Sequence, residues 1–170
     1  VRVKYAGNTL VNSGNIVISD TSTGTAEPAG LYAFSTFTFT NAGAYGGTGP
    51  TLTSCLANYD TTTNPWLNDT AYFNIGAFQG FQLWTVPATG TYEFVVQGAA
   101  GGNDGVSSLG GLPAIITTNL TLSQGNKLII IVGQLGGNGV GGSCGGNAGG
   151  GGGTFVFTEA GVCLIAAGGG

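Results

Sequence analysis

Hydrophobic and polar positions alternate along much of this chain with the two-residue period of a β-strand. Phe37-Thr38-Phe39-Thr40 shows the alternation in its simplest form. Because successive side chains of a strand point to opposite faces, this period predicts strands that bury one face. Strands are predicted over residues 1–5, 15–19, 37–40, 81–86, 91–97, 114–122, 127–134, 154–158 and 162–167. The chain is therefore expected to be almost entirely β.

One segment has a helical period instead. Leu52, Cys55 and Leu56 are spaced i, i+3, i+4, which predicts a short helix of two turns capped from Thr48 or Thr51. No other segment shows this spacing, so we expect one short α-helix at most.

The turn residues Pro87-Ala88-Thr89-Gly90 separate two of the predicted strands. Proline and glycine at these positions favour a tight turn, so a β-hairpin is predicted here. Trp84, Tyr92 and Phe94 are its candidate core anchors. A second turn is predicted at Gly125-Asn126.

The chain divides at Pro28 and Gly30. Residues 1–30 hold two short strand candidates with turn residues after each, which predicts an N-terminal β-hairpin with a role in assembly. Such a hairpin is too small to be stable alone. Residues 31–170 form the main domain.

A tract of five glycines, Gly149, Gly150, Gly151, Gly152 and Gly153, runs directly into Thr154-Phe155-Val156-Phe157. A flexible linker would be rich in charge and poor in aromatic and β-branched residues. Glycine also permits close approach of backbones, as in extended three-residue-per-turn helices. The tract is therefore predicted to be packed, structural polyglycine whose N–H and C=O groups bond to neighbouring segments.

Charge is scarce: 6% of residues are charged, with three Lys or Arg, seven Asp or Glu, no His and a net charge of −4. Nucleic-acid binding is not expected, because no basic stripe is present to neutralise phosphates. Membrane insertion is not expected either, since no apolar run approaches 18 residues. Without His, a Ser-His-Asp or Cys-His catalytic arrangement is impossible.

Three cysteines leave two alternatives open. A disulfide between Cys144 and Cys163 would join the glycine-rich segment to the strand that follows it and restrict the unfolded chain. Alternatively, these two and Cys55 are small buried hydrophobic residues. A zinc site is not expected, because neither a CxxC pair nor His is available.

Cofactors and catalysis are not expected. The GxGxxG match over residues 137–142 is followed by more glycine rather than a helix, so it lacks the phosphate-binding helix N-terminus of a dinucleotide site. Asp60 and Asp69 are the only candidates for a glycosidase pair of carboxylates, and acids in loops are more often solubilising. The chain is predicted to be non-enzymatic.

A series of motifs follows a distinctive order along the chain. They are Gly49-Pro50-Thr51, Cys55, Tyr59, Gly-Phe-Gln-Leu-Trp-Thr-Val-Pro-Ala-Thr-Gly-Thr-Tyr at 80–92, Gly-Ala-Ala-Gly-Gly at 98–102, Ile-Ile-Val-Gly-Gln at 130–134, the glycine tract with its strand, and Leu-Ile-Ala-Ala-Gly-Gly-Gly at 164–170. Together they resemble the glycine-rich extracellular domain of the anaplastic lymphoma kinase and leukocyte tyrosine kinase receptors. The resemblance covers about residues 37–170. It implies a TNF-like, jelly-roll β-sandwich with inserted polyglycine II helices.

Two further features are similar to another group of proteins. Val-Arg-Val-Lys-Tyr-Ala-Gly at 1–7, and Leu31-Tyr32-Ala33-Phe34 with the strand after it, look like versions in virion structural proteins of tailed phages, particularly those of marine cyanobacteria. The receptors' kinase, membrane span and longer cysteine-bearing insert have no counterpart here, and no cytokine-binding motif matches. Since family members continue beyond such final glycines, the chain is expected to stop inside its domain.

Two functional hypotheses follow from these resemblances. The first is a non-enzymatic virion surface protein, a fibre, tail or capsid-decorating module with a host-attachment role. Its partners would be copies of itself in a homo-oligomer, other virion proteins, and a host surface receptor or glycan. The alternative is the extracellular ligand-binding domain of a receptor of the anaplastic lymphoma kinase type.

Overall fold

The computed structural model describes residues 2–5, 13–22, 30–104, 109–139 and 147–170. Within these ranges the chain is β-structure with one α-helix and one 3-10 turn. The strands are β1 (Arg2–Tyr5), β2 (Asn15–Asp20), β3 (Thr36–Phe39), β4 (Phe73–Ile75), β5 (Phe81–Thr85), β6 (Gly90–Gln97), β7 (Ala114–Leu122), β8 (Lys127–Ile131), β9 (Thr154–Thr158) and β10 (Cys163–Ala167); helix α1 is Leu52–Asn58 and the 3-10 turn is Pro65–Asn68. The 3-10 turn and β4 were not predicted.

The strands form two antiparallel five-stranded sheets. The first sheet has the order β1-β7-β6-β2-β3 and the second β10-β9-β8-β5-β4. The two sheets pack face to face, so the predicted all-β sandwich is confirmed. No helix in the part of the chain that the structure describes is long and apolar enough to cross a membrane.

Alternation of side chains decides which face of each strand is buried. In β3, Phe37 and Phe39 point into the core while Thr36 and Thr38 are exposed. Ile18 and Ile16 of β2 pair with these two phenylalanines and are fully buried. The periodicity in the sequence therefore identified the core-facing residues correctly.

Aromatic residues fill the space between the sheets. Trp84 of β5 and Tyr92 of β6 are completely buried, and their rings meet edge to face with centroids 5.7 Å apart. Phe94 is also fully buried. Such pairs contribute about 0.5–1.5 kcal/mol beyond the burial of their area. The three candidate core anchors thus lie in the core that joins the two sheets.

Helix α1 begins as the sequence predicts. Thr51 is its N-cap, and the Thr51 hydroxyl accepts a hydrogen bond from the Ser54 N–H at 3.1 Å. The Ser54 hydroxyl lies 2.9 Å from the Thr51 N–H and accepts in return. This reciprocal capping satisfies two N–H groups at the helix start. Cys55 is the buried residue of the helix.

The hairpin predicted across the turn at Pro87-Ala88-Thr89-Gly90 does not form. Strand β5 pairs with β4 and β8 in the second sheet, whereas β6 pairs with β2 and β7 in the first. The turn carries the chain from one sheet to the other. Turn residues indicate where the chain reverses, but they do not decide which strands pair. The large inward side chains of β5 and β6 favour an arrangement in which the two strands face each other across the core from opposite sheets.

The prediction of an N-terminal β-hairpin over residues 1–30 is also wrong. Strand β1 pairs with β7 at one edge of the first sheet, and β2 lies between β3 and β6. Two strands, β7 and β6, therefore separate β1 from β2. Ile16 and Ile18 are fully buried beside Phe37 and Phe39 within a five-stranded sheet, and an isolated two-stranded hairpin does not provide such burial.

Beyond the sandwich, five extended segments run side by side: residues 98–103, 110–114, 133–139, 149–153 and 168–170. We call them the glycine bundle. Their backbone hydrogen bonds repeat every third residue. The N–H groups of Gly98 and Gly101 bond to one neighbouring segment, and those of Ala99 and Gly102 bond to another. Helices with three residues per turn point successive groups in three directions, so this pattern fits polyglycine II packing.

The glycines of the bundle are required by close backbone contact. A Cβ added to Gly151 would lie 2.1 Å from the carbonyl oxygen of Ala99, and one on Gly102 2.1 Å from that of Gly137. Segment 98–102 is buried at the centre. The predicted polyglycine at 149–153 is thus a bonded part of the fold.

Candidate functional site, a glycine-lined cleft

A cleft of about 370 Å³ opens where the glycine bundle meets two loops of the sandwich. Its walls come from residues 46–49, 79–81 and 131–137, with Gly150 and Gly152. We call it the glycine cleft. None of the lining residues that the structure describes carries a charge, so this surface is neutral and rich in backbone amides. Such a surface suits a neutral or extended peptide ligand better than an ion.

Close crossing of two glycines builds one wall of the cleft. Gly49 and Gly80 both have positive φ, 68° and 88°, a conformation that other L residues avoid. A Cβ on Gly49 would lie 2.6 Å from the Cα of Gly80. The Gly80 N–H donates to the Pro50 carbonyl at 3.0 Å, and the Gln79 amide donates to the Gly49 carbonyl at 2.8 Å. These contacts fix the two loops to each other.

Two exposed aromatic residues adjoin lining residues of the cleft in the chain. Tyr45, 83% exposed, directly precedes Gly46, and Phe78, 65% exposed, directly precedes Gln79. Phe78 meets Phe81 edge to face at 5.4 Å, and both border a shallow extension of the cleft. Large apolar side chains held at the rim of a concave site are typical of binding surfaces.

Hydrogen-bonded glycine segments form the floor. The Gly152 N–H donates to the Gln134 carbonyl at 2.9 Å, and the Gly136 N–H donates to the Ala100 carbonyl at 3.0 Å. The side-chain Oε1 of Gln134 is buried and has no hydrogen-bond partner among the described residues. The floor is thus rigid, with a buried acceptor in its wall.

Among the candidate site residues named from the sequence, only part of the glycine tract reaches this cleft, although several residues of the resemblance motifs, such as Gly49, Gly80 and Gln134, also line it. Gly150 and Gly152 line it. The core anchors Trp84, Tyr92 and Phe94 lie in the core instead. Cys163 is exposed at the start of β10, so it is not the buried hydrophobic residue of the second alternative. Cys144 lies outside the described residues, and its bridge to Cys163 stays a prediction.

The two candidate carboxylates, Asp60 and Asp69, each accept hydrogen bonds from residues of their own turn. The Thr63 hydroxyl donates a hydrogen bond to Asp60, as do the Thr63 and Thr62 N–H groups, and these bonds lower the pKa of Asp60. Asp69 accepts from the Ala71 N–H at 2.9 Å. Neither lines the glycine cleft. In the described ranges, no group of three or more acidic, Cys or His side chains is placed to hold a metal ion.

Sequence reasoning missed this cleft. Its signal was a set of glycines outside the long tract, at Gly46, Gly47, Gly49 and Gly80, with the aromatic Phe78 beside the last. Each looks like an ordinary turn residue in the sequence. Only the crossing of the two loops shows why they lie together.

Fold and site define a class of protein: an all-β sandwich that carries a hydrogen-bonded glycine bundle and a neutral cleft with an aromatic rim. No family model matches the chain. A curated relative is the leukocyte tyrosine kinase receptor of Mus musculus, which is 35% identical over 99 residues. The match covers 58% of this chain and 11% of the receptor. It supports the resemblance to receptors of this type, whereas it adds no support to the phage resemblance.

Proposed function

We propose that this chain is a non-enzymatic extracellular ligand-binding domain of the type found in the leukocyte tyrosine kinase receptor, and that the glycine cleft binds a protein ligand. The observation that carries this proposal is the 35% identity with that receptor over 58% of the chain. The chain spans about a tenth of the receptor's length, so the proposal concerns binding alone and no kinase activity.

The rim of the cleft supports a protein ligand. Exposed Tyr45 and Phe78 keep large apolar surfaces in water, which is unfavourable unless a partner covers them. Aromatic side chains also dominate the binding energy of protein interfaces. A ligand segment seated between these two residues would cover both rings and reach the backbone amides of the cleft.

Rigidity of the floor supports tight binding. The glycine segments are hydrogen-bonded on several sides, so little conformational entropy is lost when a ligand fills the cleft. The absence of charge from the lining favours shape and backbone hydrogen bonding over electrostatic steering as the source of specificity. The scarcity of Lys and Arg argues against nucleic acid as the ligand.

The absence of enzymatic activity is part of the proposal. The sequence has no His, and the titratable groups Asp60 and Asp69 are engaged in turns. General acid–base chemistry needs such a group within hydrogen-bond reach of the substrate. The virion structural role remains a separate prediction that rests on low charge and on the resemblance of residues 1–7 and 31–34. Capsid and tail genes beside this one would favour it.

Binding can be tested by immobilising the 170-residue chain and probing it with an array of purified secreted and cell-surface proteins. A binder is expected, and Phe78→Ala and Tyr45→Ala should each weaken it about tenfold or more, since both remove interface anchors. Thr38→Ala, an exposed change on the outer face of the first sheet, is the matched control. A binder whose affinity is unchanged by both Phe78→Ala and Tyr45→Ala would contradict the assignment of the cleft as the binding site. Turnover of a glycan or peptide substrate would overturn the non-enzymatic assignment.

A further inference from the structure

The outward side of the second sheet is apolar across four strands. Its side chains form two cross-strand rows, which we call the outer apolar face. One row is Phe81, Ile131, Phe155 and Ala166, and the other is Leu83, Ile129, Phe157 and Cys163.

Alternation places these residues on the side away from the core. In β8, Leu128 and Ile130 are buried while Ile129 and Ile131 are partly exposed, and β9 buries Val156 between its two phenylalanines. The rings of Phe155 and Phe157 lie 6.0 Å apart on this outer side. A solvent-facing sheet side normally carries polar residues, so a continuous apolar face of this kind indicates a partner.

We propose that a second copy of this chain covers the outer apolar face in a twofold-symmetric dimer. A twofold axis parallel to the strands, running between β8 and β9, sets each row against the same row of the second copy. Such face-to-face stacking of two sheets with nearly aligned strands is a common packing geometry. The contact is isologous and closes on itself, so it stops at two copies.

Shape supports this partner. Under that axis β8 lies over β9 of the second copy, and β5 lies over β10. Phe81 then faces the second copy's Ala166, and Leu83 faces the second copy's Cys163. Large side chains are set against small ones at both edges, as interdigitated packing requires. Ile129 faces the second copy's Phe157 in the middle.

Charge supports it too. Lys127 and Glu159 stand at the end of the face, and the Glu159 N–H donates to the Lys127 carbonyl at 3.1 Å, so the two residues are neighbours across β8 and β9. Both are exposed. The twofold axis sets Lys127 against the second copy's Glu159 and Glu159 against its Lys127. The face is thus complementary to itself in charge as well as in shape.

The area of the face sets the strength of the contact. Strands lie about 4.8 Å apart and alternate residues about 6.8 Å, so the two rows across four strands, with the Lys127 and Glu159 positions on two of them, cover roughly 330 Å² in projection. A standard interface buries about 800 Å² per partner. Because interfaces of standard size already reach micromolar dissociation constants at the weak end, a contact of this smaller size is expected to give a reversible dimer with a constant on the order of micromolar or above.

Sedimentation velocity on the 170-residue chain tests the proposal. From about 1 to about 300 µM, a range that begins at micromolar concentration and extends well above it, the sedimentation coefficient should rise from monomer to dimer. Phe157→Lys should keep the chain monomeric throughout, because it buries an ammonium group in the contact. Val95→Lys, a change on the outer face of the first sheet, should leave dimerisation unchanged. A chain that stays monomeric at every concentration would overturn the proposal.

A charge exchange distinguishes a second copy from any other partner. Lys127→Glu should weaken the dimer about tenfold, because it sets two glutamates against each other. Adding Glu159→Lys should restore the dimer, because Glu at position 127 of each copy then faces Lys at position 159 of the other. Thermal unfolding of each variant checks that the fold is intact. A dimer insensitive to both Phe157→Lys and Lys127→Glu would contradict the assigned face.

The dimer and the proposed cleft can fail independently. Phe81 and Ile131 border both surfaces, so the test residues are taken from the other end of the face. Phe78→Ala should leave the dimer intact, and Phe157→Lys should leave ligand binding at the cleft intact.

Discussion

At the residue scale, the hydroxyl of Tyr59 connects α1 to both sheets. It accepts a hydrogen bond from the Thr40 N–H at 3.0 Å and donates to Oε1 of Gln82 at 2.7 Å. The Gln82 amide donates in turn to the Thr40 carbonyl at 2.8 Å. Tyr59 ends the helix, Thr40 follows β3 of the first sheet, and Gln82 lies in β5 of the second. Because Gln82 is completely buried, its polar atoms depend on this network.

Removing the Tyr59 hydroxyl should destabilise the fold. Tyr59→Phe leaves the part-buried Thr40 N–H and the buried Gln82 amide oxygen without their partner, at a cost of about 1–3 kcal/mol. Chemical denaturation measures the change in the free energy of unfolding. Tyr45→Phe, at a side chain 83% exposed, is the control and should be neutral. Equal stability of the two variants would show that the network does not hold the layers together.

The thiol of Cys55 should be unreactive in the folded protein. Burial raises its pKa to about 12, so almost no thiolate is present at pH 8. After reduction, a thiol reagent should label exposed Cys163 quickly and Cys55 only on unfolding. Labelling of Cys55 at the rate of Cys163 would contradict its burial. Peptide mapping of the unreduced protein tests the predicted Cys144–Cys163 bridge.

At the scale of elements, the glycine bundle distinguishes glycines that are required from glycines that are not. Gly151 has carbonyl oxygens of Ala99 and Ala100 within 2.1 and 2.5 Å of its Cβ position. At Gly150 the nearest atom is the Gly170 carbonyl oxygen at 3.6 Å, an ordinary contact. Neighbouring glycines of one tract thus have different roles.

A pair of matched substitutions checks this difference. Gly151→Ala should cost about 1–3 kcal/mol or more, because the methyl group forces backbone segments apart. Gly150→Ala should lie within about 0.5 kcal/mol of the unmodified chain. Thermal or chemical unfolding of both variants gives the comparison. If neither substitution changes the free energy of unfolding, the tract is only a tether. If the tract is packed, amide hydrogen exchange over residues 149–153 should also be slow.

At the scale of the whole molecule, buried tyrosines link stability to alkaline pH. Burial raises the pKa of Tyr59 and of Tyr32, whose ring stacks on Trp66 at 5.1 Å and whose hydroxyl donates to the Thr85 carbonyl. In the unfolded chain both tyrosines ionise near pH 10. Since the folded state keeps their protons, the stabilising contribution is full below pH 10 and is lost as the pH rises above it.

The free energy of unfolding should therefore be steady through neutral pH and fall above about pH 10. Denaturant titrations at a series of pH values measure it, with tyrosinate absorbance as the second readout. Tyr59→Phe and Tyr32→Phe should each make the alkaline decline shallower. A stability that is independent of pH up to about 12 would mean that these hydroxyls are solvated.

The sequence by itself determined most of the elements, though not β4 or the 3-10 turn, and it indicated that the strands bury one face. Alternation in Phe37-Thr38-Phe39, helical spacing at Leu52 and Cys55, and glycines leading into apolar residues are local patterns. They follow from the geometry of a strand, a helix and a bare backbone, so they can be recognised without knowing the fold.

Only the tertiary structure decided which elements meet. The two incorrect hairpin predictions, over residues 1–30 and at the turn over residues 87–90, both rest on pairing strands that are consecutive in the chain. At the turn over residues 87–90, Trp84 and Tyr92 meet across the core from opposite sheets, so their strands pair with other partners. The glycine cleft and the outer apolar face could not be predicted from the sequence, because each is built by residues far apart in the chain. A local pattern of apolar and polar residues does not indicate which distant segments come into contact.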